Sequence, residues 1–122
     1  MSDRLLELRD LVLRFRDERD WAQFHQPKDL AAGLQIEAAE LAELFLWRTP
    51  AEVESDMQDE GFRQRLADEL ADVQTFLLYL SHAAQVDLGQ AVRDKLVKNA
   101  QKYPVEKARG SSRKYDRLDG LP

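Results

Sequence analysis

Glu37 and Glu40, in the stretch LQIEAAELAELFLW, and Glu69 and Asp72, in DELADV, form two acidic pairs with a spacing of three. On a helix that spacing turns both side chains of a pair toward one side. At about 100° per residue, Leu30, Leu34, Leu41 and Leu44 fall on one stripe, and Glu37 falls in its middle. Glu69 projects between the directions of Phe62, Val73 and Phe76, and Asp72 lies at the edge of the same face. Carboxylates thus stand where leucines are expected.

An acidic pair at this spacing is ordinarily part of a solvated face. These two differ in lacking basic partners, since no Lys or Arg occurs between Leu30 and Trp47 or between Leu66 and Val92. An ionised carboxylate leaves water at a cost of several kcal/mol unless a counter-charge meets it. If the two helices pack face to face, four carboxylates converge, and either protonation or a divalent cation must answer their charge. All-oxygen ligands favour Mg²⁺, with Mn²⁺ as a substitute, over zinc. Magnesium held by a few carboxylates keeps positions for water and for substrate phosphates, so the chemistry suggested is hydrolysis of a phosphoanhydride.

The elements that must position these acids are helical. Apolar residues recur at three and four from Arg4 to about Arg19, with Leu5, Leu8, Val12 and Phe15 on one face. A loop, DWAQFHQP, precedes a second helix that Pro27 can start and that the pattern carries to about Trp47. Thr49, Pro50 and Glu52 carry the signature of a capping box and a short helix. After Gly61 a long segment, about Phe62 to Gln85, is followed by Asp87 and Gln90, again cap residues three apart, and by a helix ending near Tyr103 before Pro104. No alternating strand pattern is found. The fold expected is all-α and four-helix-bundle-like, a catalytic helical region over residues 1–104 with a basic tail over 105–122 in the same domain, and with apolar faces broad enough to bind further subunits.

Length and composition agree with one globular domain: 122 residues, 43% hydrophobic and 34% charged. No apolar run approaches the ~18 residues of a membrane span, the amino-terminal segment lacks the apolar stretch of a secretory signal, and cysteine is absent. A cytoplasmic address without membrane association is expected. The net charge of −5 disfavours a protein that coats nucleic acid. Charge is unevenly distributed, however: nine of the 18 basic residues lie between Arg93 and Arg117, a region suited to an anion.

The order of WAQFHQPKDLA, IEAAELAELFLW, DELADV, KLVKNAQKYP and RGSSRKY, over residues 10 to 117, resembles the all-α nucleotide pyrophosphatases of the MazG-like superfamily, most closely the dCTP pyrophosphatase family. The family's ExxE and ExxD metal motifs correspond to Glu37, Glu40, Glu69 and Asp72. The resemblance implies Mg²⁺-dependent cleavage of a nucleoside triphosphate to monophosphate and pyrophosphate, by a homotetramer with sites near subunit contacts. It also implies that Trp21 and Trp47 line the base pocket and that Lys95 and Asn99 contact the triphosphate, while His25, after Phe24, is a candidate either for base contact or for a local bond in the loop. Lys102 and Tyr103 lie in the matching KYP segment. Arg109, Arg113 and Lys114 are further phosphate candidates, and His82 is expected to be solvated.

Three positions depart from the family pattern: Val12 replaces a His, Phe76 a Tyr, and Asp29 an Asn. They leave the acids intact and bear on base preference, so the expected substrate is dCTP or a modified dCTP, with broad specificity as the alternative. A non-catalytic helical oligomerisation module is the contrasting expectation, in which metal changes nothing.

Overall fold

The computed structural model describes residues 3–119; the last three residues of the expected tail lie outside them. The described chain is helical without a strand and separates into two compact units, Met1–Val86 and Asp87–Pro122.

In the first unit α1 spans Arg4–Glu18, α2 Pro27–Glu43, α3 Pro50–Asp56 and α4 Glu60–Ala83. Each start has a local cause. The Asp3 carboxylate accepts the Leu5 N–H at 3.0 Å, Pro27 occupies the first turn of α2, and Asp59 accepts the Phe62 N–H at 2.8 Å. The expected capping box opens α3: Thr49 Oγ1 accepts the Glu52 N–H at 3.2 Å, and Glu52 Oε1 accepts the Thr49 N–H at 3.4 Å.

The helix ends are less conventional. Beyond α1 the Trp21 N–H donates to Arg16 O and the Asp20 N–H to Asp17 O, both at 3.1 Å. This is a Schellman closure, with Asp20 (φ 55°) in the left-handed position usually held by glycine. The apolar contact that accompanies such closures is here Phe15 against Trp21, edge to face at 5.9 Å. A 3₁₀ turn, Ala22–Phe24, then lies inside the expected loop. Gln85 (φ 57°) closes α4 in the same way, with Val86 N–H on Ser81 O at 2.9 Å.

The regular part of α2 stops at Glu43, four residues before the expected end. Leu44, Phe45 and Leu46 continue as tight turns bonded to residues three back. Their apolar spacing imitates a helix that the hydrogen bonds no longer follow.

Within this unit α4 packs along α2 and also against α1. Gly33 faces Phe76 and Phe45 meets Phe62 edge to face at 5.6 Å, so α2 and α4 run antiparallel. Leu30, Phe62, Leu78 and Tyr79 are the buried hydrophobic residues among those described. The Tyr79 hydroxyl donates to Val12 O at 3.0 Å, tying α4 to α1.

The second unit consists of α5, Leu88–Lys102, a single turn α6, Val105–Ala108, and a 3₁₀ turn, Tyr115–Arg117. Asp87 caps α5 through the Gln90 N–H at 3.0 Å. The Gln90 side chain instead donates to Asp94 at 2.8 Å, leaving the expected box half made. The segment after Pro104 returns to the end of α5, where Tyr115 stacks edge to face on Tyr103 at 6.2 Å and lies beneath Lys102 Nζ at 4.9 Å. Lys107 pairs with Asp119 at 2.6 Å. Among the described residues no helix is long and apolar enough to cross a membrane.

Candidate metal centre

Antiparallel packing of α2 and α4 brings Glu37, Glu40 and Glu69 together, with one carboxylate oxygen from each lying within 4.8 Å of the others. Asp72 stands outside this set but close enough for its charge to act on both Glu37 and Glu69. Gly33, one turn before Glu37, permits the approach. A Cβ added there would lie 2.3 Å from Cε1 of Phe76, far inside van der Waals contact. The lone glycine inside α2 was a readable signal, because glycine weakens a helix interior by about 0.5–1 kcal/mol relative to alanine and such a cost calls for a packing reason. What it packs against could not be read.

The electrostatics of the cluster are unbalanced. Glu37 and Glu69 are half-buried, and Oε2 of each is withdrawn from solvent without a hydrogen-bond partner. None of the ion pairs among the described residues involves any of the four acids. Burial raises the Glu37 carboxyl above its ordinary value, aided by hydrogen bonding with Glu40 and by the charges of Glu40, Asp72 and Glu69. Glu69 is likewise raised, by burial first and then by the charges of Glu40 and Asp72. Orphaned buried carboxylate oxygens from two helices, with no cation to meet them, fit a divalent ion that takes oxygen ligands.

The remaining candidates fall into separate groups. Trp21 follows the closure of α1 and is 44% exposed. Trp47 follows the turns after α2, is 90% exposed, and has φ of 62°. His25 is half-buried against the Tyr79 ring at 4.5 Å; burial, and then the Arg16 charge, lower its pKa. His82 is exposed, as expected. In the second unit Lys95, Asn99 and Lys102 share one face of α5 by their spacing, Tyr103 ends that helix against Tyr115, and Arg109, Arg113 and Lys114 are exposed. Of the departing positions, Phe76 fills the space that Gly33 leaves, and Asp29 sits in the first turn of α2, where a negative charge suits the helix dipole. Arg48, which is not among the residues expected from sequence, donates through Nε and Nη2 to both oxygens of Asp56 at 2.9 Å.

An all-α fold with inward acids on two antiparallel helices defines a class, and the comparisons agree: the MazG-like family model matches residues 33–118, and the chain belongs to that family. Among individual relatives it is similar to dCTP pyrophosphatase 1 of Rattus norvegicus and of Homo sapiens, each 44% identical over 114 residues, 93% of this chain and 67% of the relative. The Bos taurus protein of the same name is 42% identical over 93% of this chain and 68% of its own length. Among solved structures, a pyrophosphatase from Archaeoglobus fulgidus matches with a TM-score of 0.76 and 38% identity, covering 85% of this chain and 95% of that one.

Proposed function

We propose that this protein is a Mg²⁺-dependent nucleoside triphosphate pyrophosphatase that hydrolyses dCTP, or a modified dCTP, to the monophosphate and pyrophosphate, clearing unwanted nucleotides in the cytoplasm. The observation that carries this reading is the meeting of Glu37, Glu40 and Glu69, with a buried, unpartnered oxygen on Glu37 and another on Glu69 and no basic partner among the described residues. The names of the relatives supply the substrate class.

Glu37, Glu40, Glu69 and Asp72 would hold the ion. Bound there, Mg²⁺ supplies positive charge to phosphoryl oxygens and makes a water more acidic. Lys95, Lys102 and Arg109 balance phosphate charge, Asn99 adds a polar contact, and one of the four acids orients the attacking water. Trp21 and Trp47 offer faces to the base; stacking contributes about 1–3 kcal/mol per base but discriminates weakly, since every base has a π-face.

Incubation with a panel of nucleoside triphosphates and Mg²⁺ tests the reading. Release of monophosphate and pyrophosphate in equal amounts, fastest from dCTP or a modified dCTP, is the expected result. Release of inorganic phosphate instead would place cleavage at another bond and refute it.

The assembly we propose is a homotetramer. Leu8, Leu11, Phe15, Ile36 and Leu70 are exposed on the first unit, apolar side chains that packing against further subunits would cover. Light scattering should give four times the protomer mass, and a monomer at micromolar concentration would contradict the assignment.

A further inference from the structure

Trp47 joins α2 to α3 through a left-handed backbone, φ 62°, which a bulky L-residue keeps only when its surroundings impose it. The indole is 90% exposed, so packing of the ring does not supply the constraint. The next residue is the one that is anchored. Arg48 grips both carboxylate oxygens of Asp56, at the end of α3, with Nε and Nη2 at 2.9 Å, while Nη1 lies 2.8 Å from Glu52 Oε2 in the first turn. Its own N–H donates to Phe45 O at 3.1 Å, and the capping box holds Thr49 beside it.

One guanidinium therefore fixes the chain immediately after Trp47 to both ends of α3. Trp47 is left to span from the last turn after α2 to that fixed point. Exposed ion pairs seldom add much stability unless their geometry is two-pronged. This pair has that geometry, with Asp56 half-buried, whereas the other ion pairs of the first unit join sequence neighbours.

We propose that Arg48 is a positioning residue: its fork on Asp56, with Glu52, holds Trp47 in the left-handed conformation and so presents the indole as a preformed platform for the nucleobase. This role rests on the reading of the protein as a nucleotide pyrophosphatase. Preorganisation of this kind spares binding the cost of ordering the backbone turn that carries the indole. A lysine keeps the charge but cannot make the two-pronged contact, and asparagine at position 56 removes the charged acceptor at similar size.

The test is steady-state kinetics with dCTP and Mg²⁺ on the wild type, Arg48→Lys, Asp56→Asn, Trp47→Ala and the Arg48→Lys/Trp47→Ala double variant. Loss of a stacking platform corresponds to a rise in KM of about tenfold or more for Trp47→Ala. Arg48→Lys and Asp56→Asn should each raise KM severalfold with kcat nearly unchanged, the pattern of lost binding common to ground and transition states. In the Trp47→Ala background, Arg48→Lys should have no further effect, because the two residues act through one platform. An equal KM rise in both backgrounds, a fall in kcat at constant KM, or wild-type constants in both single fork variants would overturn the role of Arg48. A wild-type protein that releases no pyrophosphate from any nucleoside triphosphate would instead remove the functional reading on which that role stands.

Discussion

Glu37→Gln is expected to lower turnover by about 100-fold or more, and to make the metal-free protein melt at a higher temperature than the wild type. The first effect follows from direct ligation: outer-shell partners of metal ligands already cost 10–100-fold in affinity or activity when removed, so a ligand costs at least the upper end of that range. The second follows from the raised carboxyl of Glu37. A group whose folded-state pKa lies above its unfolded value contributes stability that is fully present below the ordinary glutamate value of 4.5 and is lost as pH rises through the folded value. As pH rises above that ordinary value the wild type progressively loses that contribution, whereas the glutamine variant has no charge to acquire. The gap in melting temperature should close toward pH 4, and Mg²⁺ should raise the melting temperature of the wild type alone. A metal-free variant less stable than the wild type at neutral pH would show that the cluster is not under electrostatic strain.

Gly33→Ala should destabilise the protein, against the usual gain of up to 1 kcal/mol when alanine replaces glycine in a helix. The new Cβ meets the Phe76 ring at 2.3 Å, and overpacking of this kind typically costs about 1–3 kcal/mol. Either the ring leaves its place or α2 and α4 separate beside Glu37. Because a displacement of about 1 Å can cost 100-fold in rate, activity should fall further than stability. Thermal melting and turnover check both effects, and the Gly33→Ala/Phe76→Leu double variant should recover part of each. A single variant that melts at or above the wild-type temperature would mean that the close approach of these helices is not needed.

The residues that converge were readable because burial and charge conflict within single helices. Glu37 interrupts a leucine stripe with no lysine or arginine between Leu30 and Trp47, and the structure sets it beside Glu40 and Glu69. Thr49, Pro50 and Glu52 announced α3, since capping is a contact across three residues. Longer-range features carried no such local trace. The glycine at position 33 signals a close neighbour but cannot name Phe76, which lies far along the chain. Leu44, Phe45 and Leu46 extend the apolar rhythm of α2 after its regular bonding has ended, so periodicity alone overran the helix. Left-handed closures at Asp20, Trp47 and Gln85 were hidden because none is glycine. Trp47 stays in that conformation in company with the Arg48 fork on Asp56, whose partners are eight residues apart.

Calorimetric titration of Mg²⁺ into the wild type and Glu37→Gln, repeated in buffers of different ionisation enthalpy, addresses the metal centre most directly. Saturable binding by the wild type is expected below neutral pH, with protons released as the raised carboxyls of Glu37 and Glu69 ionise around the ion, and with binding greatly weakened in Glu37→Gln. Equal Mg²⁺ affinity in the two proteins, or no saturable binding by the wild type with or without a nucleotide, would contradict the assignment of these acids to a metal.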